Sequence, residues 1–383
     1  MNFDLTRPQK EIQQAARDFA RGEFDRDLAR ELIKKQEFPK ILLKKAATLG
    51  FIGIHFPEKY GGQNLGTLEN VLIIEAFCSR DSTIGSALIF AGFGADCILR
   101  SGSDALKVKF LPGVAKGDII TSGAFTEPDH GSDITSLHTT AIKKGDEWIV
   151  NGTKTFITNG DIAHIYTVLC QGDPGEKPAH KGMHLLLVEA GRTGITARDV
   201  GEKMGMHLLS TAEVAFQDVR VPVDNLIGTE GNGFYHALDF FDESRIMIAG
   251  QALGIAQGAF DRALAYVKQR RQFGKKIAQF QVTQHKIADM AVKIELARLV
   301  TYKAAWNFDQ GRKIPQLTSM AKVVAARTAV KVADEAIQLL GGYGYLSDFE
   351  VERFYRDAKL TEIYDGTREL QKNIIAKSII GKL

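Results

Sequence analysis

Cysteine is scarce: 383 residues hold only three, Cys78, Cys97 and Cys170, an odd and widely spaced set. None forms a CxxC pair or sits near a histidine at metal-ligand spacing, which excludes a disulfide framework and a zinc-finger-like site. Each reads as a small buried hydrophobe in a reducing compartment, and no metal site is expected. Charge of one sign is equally lacking, because 49 Lys and Arg stand against 46 Asp and Glu for a formal net charge of +3. So balanced a chain has no bulk field to gather a polyanion, and nucleic acid is not an expected partner. Nowhere do about eighteen apolar residues run uninterrupted, which argues against a membrane span. The opening stretch MNFDLTRPQKEIQQAARDF has early acidic residues and no basic start before an apolar run, unlike a signal or transit peptide. A cytoplasmic, bacterial location is the resulting expectation.

What is present is an ordinary globular composition, 44% hydrophobic and 25% charged, at a length that accommodates two or three domains. Residues 6–117 read as helical. Ile12, Ala15, Ala16 and Phe19 recur at helical spacing, as do Ile41, Leu42 and Ala46 before a break at Gly50, and 72–76 and 84–94 read as buried helix. From 121 to 222 the pattern changes to short β-type runs (147–150, 165–170, 184–188, 213–221), with Lys144-Gly145-Asp146 and Asn151-Gly152 as expected hairpin turns. Helical periodicity returns after Gly231. Ile287, Met290, Ile294 and Ala297 form one stripe, and Ala326, Ala329, Ala333, Ile337 and Leu340 another that stops at Gly341-Gly342. The class is mainly α with a β domain, and the apolar faces of the last part are extensive enough to imply oligomerisation.

Four stretches carry candidate chemistry. AFTEPDHGSD (124–133) offers backbone N–H groups and a hydroxyl in one small concavity, suited to a pyrophosphate or a flavin edge; an Asx or Ser turn is the plain alternative. In TFITNG (155–160), Phe156 could stack on a flat ring while Thr158 reaches its polar rim, or the segment is simply a strand entering a turn. RRQFG (270–274), near a helix end, offers Arg270 to a phosphate, or merely offsets the helix dipole. IYDGTRELQ (363–371) places a carboxylate beside Gly-Thr ahead of an amphipathic segment, either projecting into a cleft or capping a helix through Thr367 or Asp365.

In this order and spacing, together with Ser210-Thr211 ahead of the F-x-D-V-x-V-P run 216–222 and LGGYG at 340–344, these stretches resemble the acyl-CoA dehydrogenase family over essentially the whole chain. The resemblance implies an N-terminal α-helical domain (1–120), a middle β-barrel (121–230) and a C-terminal four-helix bundle (231–383), assembled as a homotetramer with FAD between domains and reaching a neighbouring subunit. Carried onto this sequence, it implies that Phe125, Thr126, Gly131, Ser132, Phe156 and Thr158 hold the flavin. Arg270, Phe273, Gln281, Gln338 and Gly342 would meet its pyrophosphate and adenosine from the neighbour, and Thr367 and Glu369 would complete the site. Ser132, Asp242, Arg245, Tyr364 and Gly366 would touch the acyl-CoA substrate. Asp365 would be the base that takes the α-proton, with the thioester oxygen held by the backbone N–H of residue 365 and a flavin ribityl hydroxyl. Flavin N5 would take the β-hydride, and electrons would pass on to electron-transferring flavoprotein.

One position departs from the family pattern, since most members have Glu where this chain has Asp365. The shorter acid withdraws its oxygens by about 1.3 Å, and a general base works only within hydrogen-bond reach. A second family arrangement puts the base on the helix near Arg245, but Ser244 stands there and Glu243 faces roughly 100° away. The shortened base is expected to make room for a ring or α-branched acyl group, cyclohexanecarboxyl-CoA being the example. Small residues at Gly85, Ala87, Ala91 and Gly92 fit either a wide cavity or close helix contact. The alternatives are a short-chain acyl-CoA dehydrogenase and a nitroalkane-oxidase-like flavin oxidase, which also uses Asp. A DNA-binding relative is disfavoured because no basic extension follows the final Gly381-Lys382-Leu383.

Overall fold

The computed structural model describes residues 4–172, 175, 176 and 178–381, so Lys382 and Leu383 lie outside the described residues. The first part is helical: α1 (Arg7–Glu23), α2 (Arg26–Lys35), α3 (Lys40–Thr48), α4 (Thr67–Arg80), α5 (Ser82–Ile89), α6 (Ala95–Ser101) and α7 (Asp104–Ala115). Local chemistry fixes the starts. Thr6 and Gln9 cap α1 reciprocally, and the Asp81 carboxylate accepts from the N–H groups of Thr83 and Ile84 to begin α5. The inner face of α1 meets α4 through Phe19, Phe24 and Phe77, whose ring centroids are 5.3 to 5.8 Å apart.

Gly85 decides how closely α4 and α5 approach. A Cβ there would stand 2.8 Å from the Cys78 nitrogen, so this glycine serves helix contact and opens no cavity, and Ala87 and Ala91 are buried in the same core. The segment Ser82–Ser101 is apolar and long enough by composition to cross a membrane, but 78% of that window is buried inside the protein. Asp96 and Arg100 interrupt it.

The middle part is one seven-stranded sheet of β1 (Thr121–Ala124), β2 (Thr140–Lys144), β3 (Glu147–Thr158), β4 (Ile165–Gln171), β5 (Met183–Glu189), β6 (Ile195–Asp199) and β7 (Thr211–Pro222). Its order is β1-β4-β2-β3-β7-β6, with β5 paired to β4. Gly145, at φ +59°, turns β2 into β3 as expected. Asn151-Gly152 does not form the expected hairpin. The strand runs through it with a bulge, because the Asn151 side chain bonds the Asp218 main chain on β7 and Gly152 lets Thr139 come within 2.4 Å of where a Cβ would stand.

The last part is built on α8 (Gly233–Gln269), followed by a small hairpin of β8 (Arg271–Gln272) and β9 (Lys275–Lys276), then α9 (Gln281–Asp309), α10 (Pro315–Leu340), α11 (Val351–Thr361) and α12 (Arg368–Ile380). The middle of α8 is buried on nearly every side, against α4, α9, α10 and α11. The two apolar stripes read from the sequence face this core: Met290, Ile294 and Ala297 are buried on α9, and Ala326, Ala329, Ala333 and Leu340 on α10. The helices from the two ends of the chain pack directly on each other, α4 against α8 above all, while the sheet meets α8 through β4 and β5, and the turn before α12 comes onto α8 through Asp365 and Ser244.

Candidate active site

The turn at 362–367 links α11 to α12. Thr367 caps α12 by accepting from the Leu370 N–H, which leaves Asp365 without a capping duty. Asp365 takes a left-handed backbone (φ +56°) followed by Gly366 at φ +91°, and its side chain turns back onto α8, where the Ser244 hydroxyl donates to Oδ2. Burial pushes its carboxyl above the usual carboxylate range, while the Ser244 hydrogen bond, Arg245 and Lys322 pull in the opposite direction. A carboxyl with a raised affinity for a proton, held by one hydroxyl and facing two cations, has the composition of a general base.

Three carbonyls of the turn, those of Tyr364, Asp365 and Gly366, accept from buried side chains. Lys322 Nζ, on α10, donates to the Tyr364 carbonyl at 2.7 Å and to the Gly366 carbonyl, and Gln371 Nε2 donates to the carbonyls of Asp365 and Gly366 at 3.2 and 3.1 Å. The N–H of Asp365 meets no protein acceptor among the described residues. Tyr364 is anchored: its hydroxyl donates to Gln251, whose amide continues to Ser86 at 2.7 Å. That hydroxyl is therefore committed to the interior, and only the ring of Tyr364 is left to line a substrate.

On α8, Asp242 and Arg245 form a buried pair at 2.9 Å, and Arg245 Nε is buried with no partner among the described residues. Glu243 points away from Asp365, to Arg100, which with Asp96 and His55 makes two adjoining ion pairs. The oxygens and nitrogen of His55, Asp96 and Glu243 converge within 4.8 Å, a grouping invisible in sequence because it joins three distant segments. Arg100 balances its charge, and Gly92 and Asp96 border a cavity of about 30 Å3 beside it.

The expected flavin contacts fall in two places. Around the sheet, the Thr155 N–H donates to the Thr126 carbonyl at 3.0 Å, bringing AFTEP and TFITNG side by side. Phe156, at φ +54° beside a second bulge of β3, is 69% exposed, an aromatic face held out of the core by strained backbone. Thr158 is partly exposed, and Gly131 and Ser132 are exposed in a loop that Asp133 folds by bonding Thr135 and Ser136. The Phe125 ring is not free. It is buried between Phe240 and Phe241, at centroid distances of 5.5 and 5.0 Å, so only its main chain can meet a ligand. A buried pair missed in the sequence holds this corner together. Lys154 Nζ donates to Glu127 at 2.9 Å and to the Phe125 carbonyl at 3.1 Å, while Glu127 also accepts from the His138 and Thr139 N–H groups. Burial opposes the charge on Glu127, yet Lys154 and those donors bring its carboxyl down to about 2.

At the far end of α8, Arg270, Gln338 and Gly342 line one open pocket of about 440 Å3 with Tyr266 and Tyr343. Phe273, 93% exposed, and Gln281 lie outside its lining, on the hairpin and the start of α9. Glu369 is exposed and pairs with Arg368. An exposed aromatic, an arginine in an open pocket and the orphaned Arg245 Nε fit a flavin nucleotide and a phosphate-bearing ligand.

Lys322 was also missed. Its signal was a single lysine among the apolar positions Ala321, Ala325 and Ala329, where a charge has to find an internal partner.

Three family models cover the chain: acyl-CoA dehydrogenase N-terminal domain at 6–118, middle domain at 122–219 and C-terminal domain at 231–380. The chain is 40% identical to the short-chain specific acyl-CoA dehydrogenase of Clostridium acetobutylicum over 99% of this chain and 100% of that one. It is similar to butyryl-CoA dehydrogenase from Megasphaera elsdenii at TM-score 0.94 and 37% identity, covering 99% and 100% of the two chains. A chain from work on the electron transferring flavoprotein of Acidaminococcus fermentans matches at TM-score 0.95 and 38% identity, with full coverage of both.

Proposed function

The chain belongs to the acyl-CoA dehydrogenase family, FAD enzymes acting on acyl-CoA thioesters, and we propose that within it Asp365 is the base and the acyl group is alicyclic or α-branched. The observation that carries this reading is the aspartate itself: a carboxyl one methylene short, drawn back onto Ser244 and raised in pKa by burial. FAD, when bound, supplies the hydride acceptor. The protein's own part is to bind and orient the thioester, to present the free N–H of residue 365 to its oxygen, and to take the α-proton on Asp365 Oδ1 or Oδ2. Asp242 and Arg245 on α8 would meet the CoA portion, Arg245 through its spare Nε.

Thr126, Gly131, Ser132, Phe156 and Thr158 would hold the flavin, while Arg270, Gln338 and Gly342 would receive the rest of the cofactor from a neighbouring subunit of a homotetramer. Exposed Val282, Val292, Leu296 and Leu299 along α9 support such an assembly. Electron-transferring flavoprotein is the proposed acceptor, supported by the match to the Acidaminococcus fermentans work.

The short-chain relatives favour a second reading, a straight-chain acyl group such as butyryl. Anaerobic titration of the FAD-loaded enzyme with cyclohexanecarboxyl-CoA and butyryl-CoA, following loss of flavin colour, separates the two. Faster bleaching by the ring thioester is expected, and faster bleaching by butyryl-CoA selects the second reading.

A further inference from the structure

We propose that Lys322 is a positioning residue of the reaction: its ammonium, seated on the carbonyls either side of Asp365, polarises the peptide whose N–H receives the thioester oxygen. This rests on the reading of Asp365 as base. Lys322 is 1% exposed and rises from α10 with Nζ 2.7 Å from the Tyr364 oxygen and bonded also to the Gly366 oxygen.

The Tyr364 carbonyl and the Asp365 N–H are the two ends of one peptide unit. A cation on the oxygen draws electron density toward it and leaves the N–H at the other end a stronger donor, the way hydrogen bonds in series reinforce one another at low dielectric. That N–H is free of any protein acceptor among the described residues, so the gain is available to a ligand. The same two bonds hold the left-handed turn at 365 and 366, a conformation unfavourable for an aspartate without outside support.

Lysine gives this arrangement a charge that a buried amide could not. Burial brings its pKa down to about 8, against the pull of Asp365 and, more weakly, Glu362 and Glu369, with Arg245 adding to the lowering. The side chain is still an ammonium near neutral pH. As the charge on the thioester oxygen grows when the α-proton leaves, a polarised N–H gains more in the enolate-like state than in the ground state, which is the condition for catalysis rather than binding.

The test uses the FAD-loaded enzyme with a β-thia acyl-CoA, whose α-proton can leave but whose β-position has no hydride to transfer. Two signals are read: the infrared stretch of the isotopically labelled thioester carbonyl, and exchange of the α-hydrogen into deuterated water. Lys322→Met should move the carbonyl stretch toward its free value and slow α-exchange about tenfold, a smaller loss than removal of a whole oxyanion donor. Lys322→Gln, which keeps hydrogen bonds to the turn but no charge, should fall between Met and wild type. A carbonyl stretch unchanged in both folded variants overturns the proposal, and should the Met variant not fold, the Gln variant alone decides by the same criterion. Asp365→Asn, run alongside, should abolish exchange while leaving the carbonyl stretch lowered. Persistent exchange there would refute the base assignment and leave the Lys322 result standing separately.

Discussion

Lengthening the proposed base, Asp365→Glu, is the most direct probe of why this chain has the shorter acid. The carboxylate of Asp365 is already bonded to the Ser244 hydroxyl, which is fixed on the buried middle of α8 and cannot retreat. One added methylene advances the carboxylate by about 1.3 Å. A glutamate must then swing off Ser244 or reach past it into the space where the α-carbon of the substrate sits. Losing a hydrogen bond to a charged group costs about 1.5–3 kcal/mol, equivalent to roughly 10- to 150-fold in rate if the bond is needed to aim the base. The expected result is a fall of about that size in kcat/KM for cyclohexanecarboxyl-CoA, where the α-carbon is already crowded. Butyryl-CoA, with an open α-carbon, should fall much less or rise, so that the preference between the two inverts. Steady-state kinetics with an artificial electron acceptor on both thioesters measures the ratio. A Glu variant that handles the ring substrate as fast as wild type, with the ratio unmoved, refutes the link between the short base and a bulky acyl group.

Ser244→Ala removes a bond that favours the ionised form of Asp365, so the carboxyl pKa rises further and the acid limb of the kcat/KM profile should move to higher pH, read from the profile between pH 5 and 8. Glu127→Gln leaves Lys154 buried without its counter-charge and should destabilise the protein by about 3–5 kcal/mol, read by denaturant unfolding. The same pair sets a pH dependence: because the folded Glu127 carboxyl is lowered from 4.5 to about 2, its contribution is present above pH 4.5 and fades as pH falls toward 2, so the difference between wild type and Glu127→Gln should shrink over that window. Phe156→Ala should lower the FAD content of the purified protein while leaving its thermal unfolding within about 1 kcal/mol, since the ring is exposed and contributes little to the core; unchanged flavin content would remove Phe156 from the site.

Much of this architecture was legible because it depends on patterns that sequence carries locally. The stripes on α9 and α10 recur at helical spacing, and their buried members are the residues that the spacing selects. Gly145 works as a turn because its neighbours are two short β runs and nothing else competes for it. Asn151-Gly152 has the same local chemistry and does something different. There the partner strand β7 supplies the Asp218 main-chain N–H to the Asn151 side chain, and a residue 67 positions away overrides the turn preference. The site divides along the same line. Asp365 could be singled out from its neighbours in the chain, whereas the groups that aim it, Ser244, Lys322 and Gln371, are 121, 43 and 6 residues away and meet it only through the crossing of α8, α10 and α12.

Lys322 marks the boundary of what such reading can reach. Its place on an apolar helical face announces that some internal acceptor must exist, since an unpaired buried ammonium is untenable, but not which one. Only the fold identifies it as the main chain of the turn that carries Asp365, the proposed base. Main-chain carbonyls leave no trace in composition or motif, so any function routed through them is set by topology. The same holds for the free N–H at 365: it is a donor because Lys322 and Gln371 claim the carbonyls around it and because Thr367, just beyond Gly366, takes over the capping of α12. The N–H at 365 is thus kept open by the residues that satisfy the turn's other groups, and the reactivity proposed for Asp365 belongs as much to them as to its own carboxyl.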